Sequence, residues 1–214
     1  MTIRLLLVDD HAVVREGVGH LLDAQAGMRV IGSFGDGREA VRYAGIEHPD
    51  VAIIDISMQG MNGIEVARQI HDACPETRIL MLSMHASPEY VHQSFQAGAQ
   101  GYVLKESAGS EVVDAVRAVS EGKRYLSRRI GGEAIERYLG ERGADNPLAR
   151  LSARERQVLQ FVVEGKSSAE VAELLGLSPK SVESYRSRML KKLGLEDLPS
   201  LVKFAIRHGV TSIE

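Results

Sequence analysis

From Ile3 to Glu121 the sequence repeats one pattern five times: a short apolar run, then a longer segment with apolar residues at helical spacing. The runs are Ile3–Val8, Arg29–Phe34, Val51–Ile54, Ile79–Leu82 and Gly101–Leu104, built largely of Val, Ile, Leu and Met. An unbroken apolar run of strand length is what a strand needs when both faces of its sheet are covered, as in parallel sheets. The segments between them, Ala12–Ala26, Gly37–Glu47, Gly63–Ala73, Pro88–Ala97 and Ser110–Glu121, are long enough for crossover helices. The expectation is an α/β doubly wound domain with a five-stranded parallel sheet and right-handed crossovers. Ligands gather at the carboxyl ends of the strands in such sheets, so those residues carry the functional argument.

Downstream the pattern stops. Residues 125–148 contain Gly131-Gly132, Gly140, Gly143 and Asn146-Pro147 with little sustained period, which reads as a linker with a short helix around Glu133–Leu139. From 149 onward only helical spacing remains. Ser152-Ala153-Arg154-Glu155 and Ser167-Ser168-Ala169-Glu170 have the spacing of capping boxes. Ser178-Pro179 offers an N-cap with proline at the first helical position, and Gly194 offers a stop. A last helix is expected over Leu198–His208, ending at Gly209. Helices joined through Gly176-Leu177-Ser178 make a small all-α helix-turn-helix domain. The predicted organisation is a first domain over 1–124, a linker over 125–148 and a second domain over 149–214.

The net charge of -3 hides a division. Residues 1–126 hold 17 acids against 11 bases, whereas residues 149–214 hold 8 acids against 11 bases. An acidic front and a basic back suit separate partners, and the back suits a polyanion. No stretch approaches the roughly 18 consecutive apolar residues of a membrane span, so no membrane partner is expected. The apolar run before Asp9-Asp10 lacks a small-residue cleavage site and reads as a strand rather than a signal peptide. The single Cys74 cannot form an internal disulfide, and a cytoplasmic location is expected.

The strand ends hold the chemistry. Strand one ends in Asp9-Asp10, strand three in Asp55, strand four in Ser83 and strand five in Lys105. Three carboxylates gathered in one crevice raise one another's pKa unless a cation sits among them. Oxygen ligands in an open, wet site favour Mg²⁺. A carboxylate so held can attack a phosphoryl group, with Lys105 and the Ser83 hydroxyl meeting the oxygens that the metal does not neutralise. Asp55 is the expected nucleophile, because Asp9 and Asp10 together make the natural metal clamp. Each element alone is commonplace, since acids cap helices and single lysines are solvated. The joint pattern over four strand ends is much harder to produce by accident.

These residues also carry a family resemblance. Leu7-Val8-Asp9-Asp10-His11, Asp55-Ile56-Ser57-Met58, Met61-Asn62-Gly63, Leu82-Ser83 and Gly101-Tyr102-Val103-Leu104-Lys105 resemble the flavodoxin-like receiver domain of two-component systems. The resemblance implies that Asp55 is the phosphoacceptor, phosphorylated by a sensor histidine kinase. It implies a Mg²⁺ site formed by Asp9, Asp10, Asp55 and the Ser57 backbone carbonyl. It also implies a switch pair, Ser83 and Tyr102, in which the hydroxyl moves toward the phosphate as the ring turns inward. Two positions depart from it: Gln59 and Glu106 stand where receivers commonly carry proline. A looser loop after Asp55 is expected from the first. His11, His85 and His92 show no helical zinc spacing, and His11 is expected to flank the pocket without ligating metal.

The second domain has its own signal. Residues 178–194 carry Lys180, Arg186, Arg188, Lys191 and Lys192 against one acid, Glu183. Val182, Met189 and Leu193 recur at helical spacing and should face a core, leaving Lys180, Ser184, Ser187, Arg188 and Lys191 on a solvent face. Such a face can enter a major groove while its basic residues neutralise phosphates. The run Leu151–Leu159, followed by Glu164-Gly165-Lys166-Ser167 and Ser178-Pro179-Lys180-Ser181-Val182, resembles the LuxR-type helix-turn-helix of NarL/FixJ regulators. That resemblance implies double-stranded DNA as partner, a recognition helix over Pro179–Leu193 and dimerisation supported by the final helix. DNA contacts are expected from Lys180, Ser181, Glu183, Ser184, Ser187, Arg188, Lys191 and Lys192. Glu183 stands where many relatives carry lysine, and an acid there can accept from cytosine N4.

The rival readings are an α/β phosphotransfer or flavin-binding protein and a protein-interaction adaptor. Asp9-Asp10 would repel a flavin phosphate, and Ser57 stands where an aspartate-based phosphatase needs its second acid. The favoured reading is a transcription regulator that accepts a phosphoryl group on its own chain and is not an enzyme acting on a separate substrate.

Overall fold

The computed structural model describes residues 2–130, 147–208 and 210–211; the expected short helix at Glu133–Leu139 and the stop at Gly209 lie outside them. The chain divides into two units, Met1–Leu139 and Gly140–Glu214. The first runs β1 Ile3–Val8, α1 Ala12–Asp23, β2 Met28–Phe34, α2 Gly37–Glu47, β3 Val51–Asp55, α3 Gly63–Ala73, β4 Arg78–Ser83, α4 Pro88–Gln96, β5 Gly101–Leu104, α5 Ala108–Ser120 and β6 Tyr125–Leu126. Its strands are all parallel, in the order β2-β1-β3-β4-β5-β6. The winding reverses between β1 and β3, and there the crevice opens.

The unbroken apolar runs have a direct cause. Alternate residues of each strand point to opposite faces, and helices cover both. Leu6, Val8, Ala52, Ile54 and Met81 pack against Ala40 and Ala44 of α2, Ile64, Val66 and Ile70 of α3, and Val91 of α4. Leu5, Leu7, Ile53, Leu80 and Val103 pack against Val18 and Leu22 of α1 and Val112, Val116 and Val119 of α5. Each such side chain contributes about 1.5–3 kcal/mol by leaving water.

Two details differ from expectation. The described residues form six strands rather than five, because Tyr125–Leu126 adds to β5 within the segment expected to be linker. Two residues carry no readable period; what holds them is long-range. The Ser127 amide donates to the Tyr102 carbonyl at 2.8 Å, and the buried Ser127 hydroxyl donates to Glu111 Oε2 at 2.7 Å. Ile130 closes over the same core. Helix α1 also stops at Asp23, short of Ala26. The Asp23 carboxylate accepts from the Val30 amide at 2.8 Å, and Gly27, with φ 82°, turns the chain into β2.

The second unit has helices α6 Ala153–Val163, α7 Ser168–Leu175, α8 Pro179–Leu193 and α9 Leu198–Arg207. Both expected capping boxes form, Ser152 with Glu155 and Ser167 with Glu170. The Ser178 hydroxyl accepts from the Ser181 amide ahead of Pro179, and Gly194 ends α8 with φ 68°. Val158, Leu159, Phe161, Val171, Val182, Met189 and Leu201 form a core drawn from all of these helices. Among the described residues no helix is long and apolar enough to cross a membrane.

Candidate functional site

Strand register assembles the acid pocket. Val8 lies opposite Ile54 in the β1–β3 pair, so the next residues, Asp9 and Asp55, leave the sheet side by side. Ser83 lies opposite Leu104 in the β4–β5 pair, which brings Lys105 to the same edge. Lys105 Nζ sits 2.7 Å from Asp55 Oδ2 and 2.8 Å from Asp9 Oδ2. Asp9, Asp10, His11 and Asp55 each offer an atom within 4.8 Å of all the others. The buried oxygens Asp9 Oδ2 and Asp10 Oδ1 accept no hydrogen bond of good geometry; the Lys105 ammonium approaches the first at 2.8 Å, and His11 Nδ1 lies 2.9 Å from the second. Underused carboxylate oxygens facing one another fit a hard divalent cation.

Asp55 is 1 % exposed. Burial pushes its carboxyl up from 3.8 to about 6, assisted by the Asp9 charge and opposed by Lys105 and by the Ser57 amide. Burial pulls the Lys105 ammonium down, but its two carboxylate partners outweigh that and hold it above its usual value. The pocket is thus a triad short of positive charge.

The loop after Asp55 is tightly seated. The Ser57 amide donates to Asp55 Oδ1 at 3.3 Å, and the Gln59 amide donates to Asp10 Oδ2 at 3.0 Å. A proline at 59 would lack that donor, so this departure from the receiver pattern adds a tie where a looser loop was expected. A Cβ on Gly63 would lie 1.8 Å from the Asp55 carbonyl oxygen, so only glycine fits where α3 begins. Ser83 and Tyr102 both meet His85: the Ser83 hydroxyl accepts from the His85 amide at 3.0 Å, and the Tyr102 hydroxyl donates to the His85 carbonyl at 2.7 Å. Tyr102 is fully buried, its ring already turned inward, and burial raises its phenol.

Sequence reasoning placed Asp9, Asp10, Asp55, Ser57, Ser83, Tyr102 and Lys105 around one crevice, and the structure brings them together. It set His11 at the flank of the pocket, and His11 lies within the acid cluster; it passed over the contact of His85, whose Nε2 is 3.1 Å from Ser57 Oγ. No local spacing announces either contact, since Ser57 and His85 belong to different strand ends.

On α8, Val182 and Met189 are fully buried, while Lys180, Glu183, Ser184, Ser187, Arg188 and Lys191 are exposed. Ser181 is half-buried and bound to the Ser178 cap. Two expected DNA contacts have other partners. Glu183 accepts from the Ser168 hydroxyl at the start of α7, where Arg186 Nη1 also reaches Ser168 at 3.1 Å. Lys192 Nζ lies 2.6 Å from Glu155 Oε2, a carboxylate that is nearly fully buried. Burial pushes Glu155 up, but Lys192 and the Ser152 amide and hydroxyl together hold it below its usual value.

Residues 5–117 match the response regulator receiver domain, and residues 149–205 match the luxR family of bacterial regulatory proteins. The chain belongs to the response regulators. Among its relatives is the response regulator UvrY of Escherichia coli strain K12, 37% identical over 212 residues, covering 99% of this chain and 97% of that one. The transcriptional regulatory protein LiaR of Bacillus subtilis strain 168 is 36% identical, covering 98% and 100%. Among solved structures, Salmonella typhimurium RcsB, a response regulator described for conformational dynamism in DNA interaction, is 26% identical with a TM-score of 0.63 over 97% of this chain and 98% of that one. An RcsB–DNA complex matches with 25% identity and a TM-score of 0.56, covering 95% and 98%. This response regulator therefore joins a receiver to a luxR-type DNA-binding domain, the composition of a phosphorylation-controlled transcription regulator.

Proposed function

We propose that a sensor histidine kinase phosphorylates Asp55 of this response regulator and that the phosphorylated chain binds double-stranded DNA as a homodimer in the cytoplasm. The proposed organisation is a receiver over 1–124 onto which Tyr125–Ile130 also packs, the rest of 125–148 as linker, and a DNA-binding domain over 149–214. The observation that carries the reading is the Lys105 ammonium held between Asp9 and Asp55, with the buried Asp10 Oδ1 beside them accepting no hydrogen bond.

An Asp55 carboxylate oxygen attacks the phosphorus of a phosphohistidine; the O–P bond forms, the P–N bond breaks, and the departing imidazole takes up a proton. Mg²⁺ held by Asp9, Asp10, Asp55 and the Ser57 carbonyl would supply the positive charge that keeps these carboxylates ionised and offsets a phosphoryl oxygen. Lys105 and the Ser83 hydroxyl are placed to meet the remaining oxygens. No side chain serves as base, because the nucleophile carries no proton when ionised. The chain accepts the group itself and turns over no separate substrate. In the second domain, Lys180, Ser184, Ser187, Arg188 and Lys191 form the DNA face, with Ser181 and Glu183 at its edge and Lys192 assigned to Glu155 instead.

Labelling with acetyl phosphate tests this. Phosphorylation requires Mg²⁺, is abolished in Asp55→Asn and is weakened in Asp10→Ala. Full labelling of the Asp55→Asn chain overturns the assignment.

A further inference from the structure

His85 does no chemistry in the reading above, yet it touches each moving part. It follows the end of β4 by two residues. Its amide donates to the Ser83 hydroxyl at 3.0 Å, and its carbonyl accepts from the Tyr102 hydroxyl at 2.7 Å. Its Nε2 lies 3.1 Å from Ser57 Oγ, in the loop that carries Asp55. The opposite connection is to α4: the imidazole stacks on the Tyr90 ring with centroids 4.3 Å apart and planes 8° from parallel. Tyr90 is 8 % exposed and belongs to the core that holds Tyr102, Met58 and Val91, so a displacement of its ring is felt through α4.

These contacts fall into two groups. The bonds to Ser83 and Tyr102 use the His85 backbone and can form whatever side chain stands there, proline excepted. The link to Ser57 and the stack on Tyr90 use the ring alone. A Ser83 hydroxyl that turns toward a phosphoryl group on Asp55 leaves the His85 amide. The residue is then released on the side facing the pocket while its ring still grips α4. Two flat rings in face-to-face contact cannot approach further, so movement of one toward the other along the ring normal displaces its neighbour, and packed interfaces convert small shifts into discrete rearrangements.

We propose that His85 is the positioning residue that couples phosphorylation of Asp55 to helix α4. Its backbone senses the switch pair, and its ring carries the displacement to Tyr90. Ser57 holds that ring in place until the phosphoryl group arrives. The proposal rests on the phosphorylation reading of the pocket and adds the route by which the pocket reaches the helical face.

The test uses the full chain, acetyl phosphate with Mg²⁺ as donor, and a DNA fragment selected from genomic DNA with the wild-type phosphoprotein. Phosphate uptake, DNA affinity at equal phosphoprotein content, and amide hydrogen exchange over residues 88–96 are measured together. In the wild type, phosphorylation raises DNA affinity by about 5- to 150-fold, the usual range of coupling between sites, and changes exchange in α4. His85→Ala takes up phosphate like the wild type but gains less than about twofold in affinity, below that range, and its α4 exchange does not respond. His85→Phe keeps a flat ring over Tyr90 and restores both responses. The proposal is overturned if His85→Ala keeps the full gain, or if His85→Phe fails as His85→Ala does. It is equally overturned if His85→Ala takes up no phosphate, which would make His85 part of the pocket itself. A wild-type chain that accepts no phosphate, or gains no DNA affinity from it, sinks the underlying reading instead.

Discussion

At the scale of the residue, Asp55 is asked to ionise where ionisation is disfavoured. Its folded pKa of about 6 lies above the usual 3.8, so between those values the folded chain binds more protons than the unfolded one. Stability attributable to this group is therefore present at low pH, falls as pH rises through that window, and stays lost above it. In chelator near pH 7.5, Asp55→Asn should be more stable than the wild type by about 1–3 kcal/mol, the order set by a shift of about two units. The advantage should vanish toward pH 4 and shrink when Mg²⁺ stabilises only the wild type. Denaturant titrations with and without chelator measure it, and an Asn variant less stable at neutral pH contradicts it. Gly63 gives a second residue-scale expectation. Gly63→Ala places a carbon against the Asp55 carbonyl, and it should cost about 3 kcal/mol or more, at the upper end for overpacking. Asn62→Ala, which removes the side-chain cap of α3, should cost about 1 kcal/mol.

At the scale of the element, what could be read from the sequence follows from how local its cause is. The β1, β3, β4 and β5 runs were legible because helices cover both faces of the sheet there, which favours apolar residues at nearly every position; β2, at the edge, is largely half-buried and carries Arg29, Gly32 and Ser33. The capping boxes of α6 and α7 and the Ser178-Pro179 start of α8 were legible because a cap is complete within four residues. Strand β6 was not, since its hold lies in the Tyr102 carbonyl and Glu111. Asp9, Asp10, Asp55, Ser83 and Lys105 were legible from strand ends, and Ser57 and Tyr102 from the family resemblance alone, whereas the contacts of His11 and His85 depend on side-chain directions that sequence spacing does not encode. Lys192 illustrates the same limit. Its charge reads as a phosphate contact, but its ammonium pairs with the buried Glu155. Lys192→Ala should therefore destabilise the second unit by about 1–2 kcal/mol, less than a fully buried pair costs because water reaches the lysine. It should leave the salt dependence of DNA binding nearly unchanged. Lys191→Ala should instead lower that slope by about one, as loss of a phosphate contact does. Thermal unfolding and salt titration of DNA binding separate the two, and equal slope changes for both lysines would return Lys192 to the DNA face.

At the scale of the whole molecule, the separation of charge makes a last prediction. Residues 149–214 hold 11 bases against 8 acids, and their hydrophobic core is built from their own helices together with Leu148. A fragment over 149–214 should therefore fold and bind DNA without any phosphate, weakening steeply as salt is added because bound Lys and Arg release counterions. The receiver carries 17 acids against 11 bases over residues 1–126 and disfavours a polyanion nearby. The unphosphorylated full chain should then bind more weakly than the fragment, and phosphorylation should recover the difference by shifting a two-state equilibrium toward the binding-competent form. Adding negative charge to the receiver at Asp55 opposes DNA binding by simple electrostatics, so a gain in affinity on phosphorylation must come from conformation or dimerisation. The deciding measurement compares the fragment, the unphosphorylated chain and the phosphorylated chain on one DNA fragment at one salt concentration. A dimerisation effect of the receiver reveals itself as a steeper dependence of affinity on protein concentration in the phosphorylated chain than in the unphosphorylated one. If the unphosphorylated chain binds as tightly as the phosphorylated one, the receiver does not control DNA affinity, and phosphorylation must act on a bound regulator by recruiting another protein.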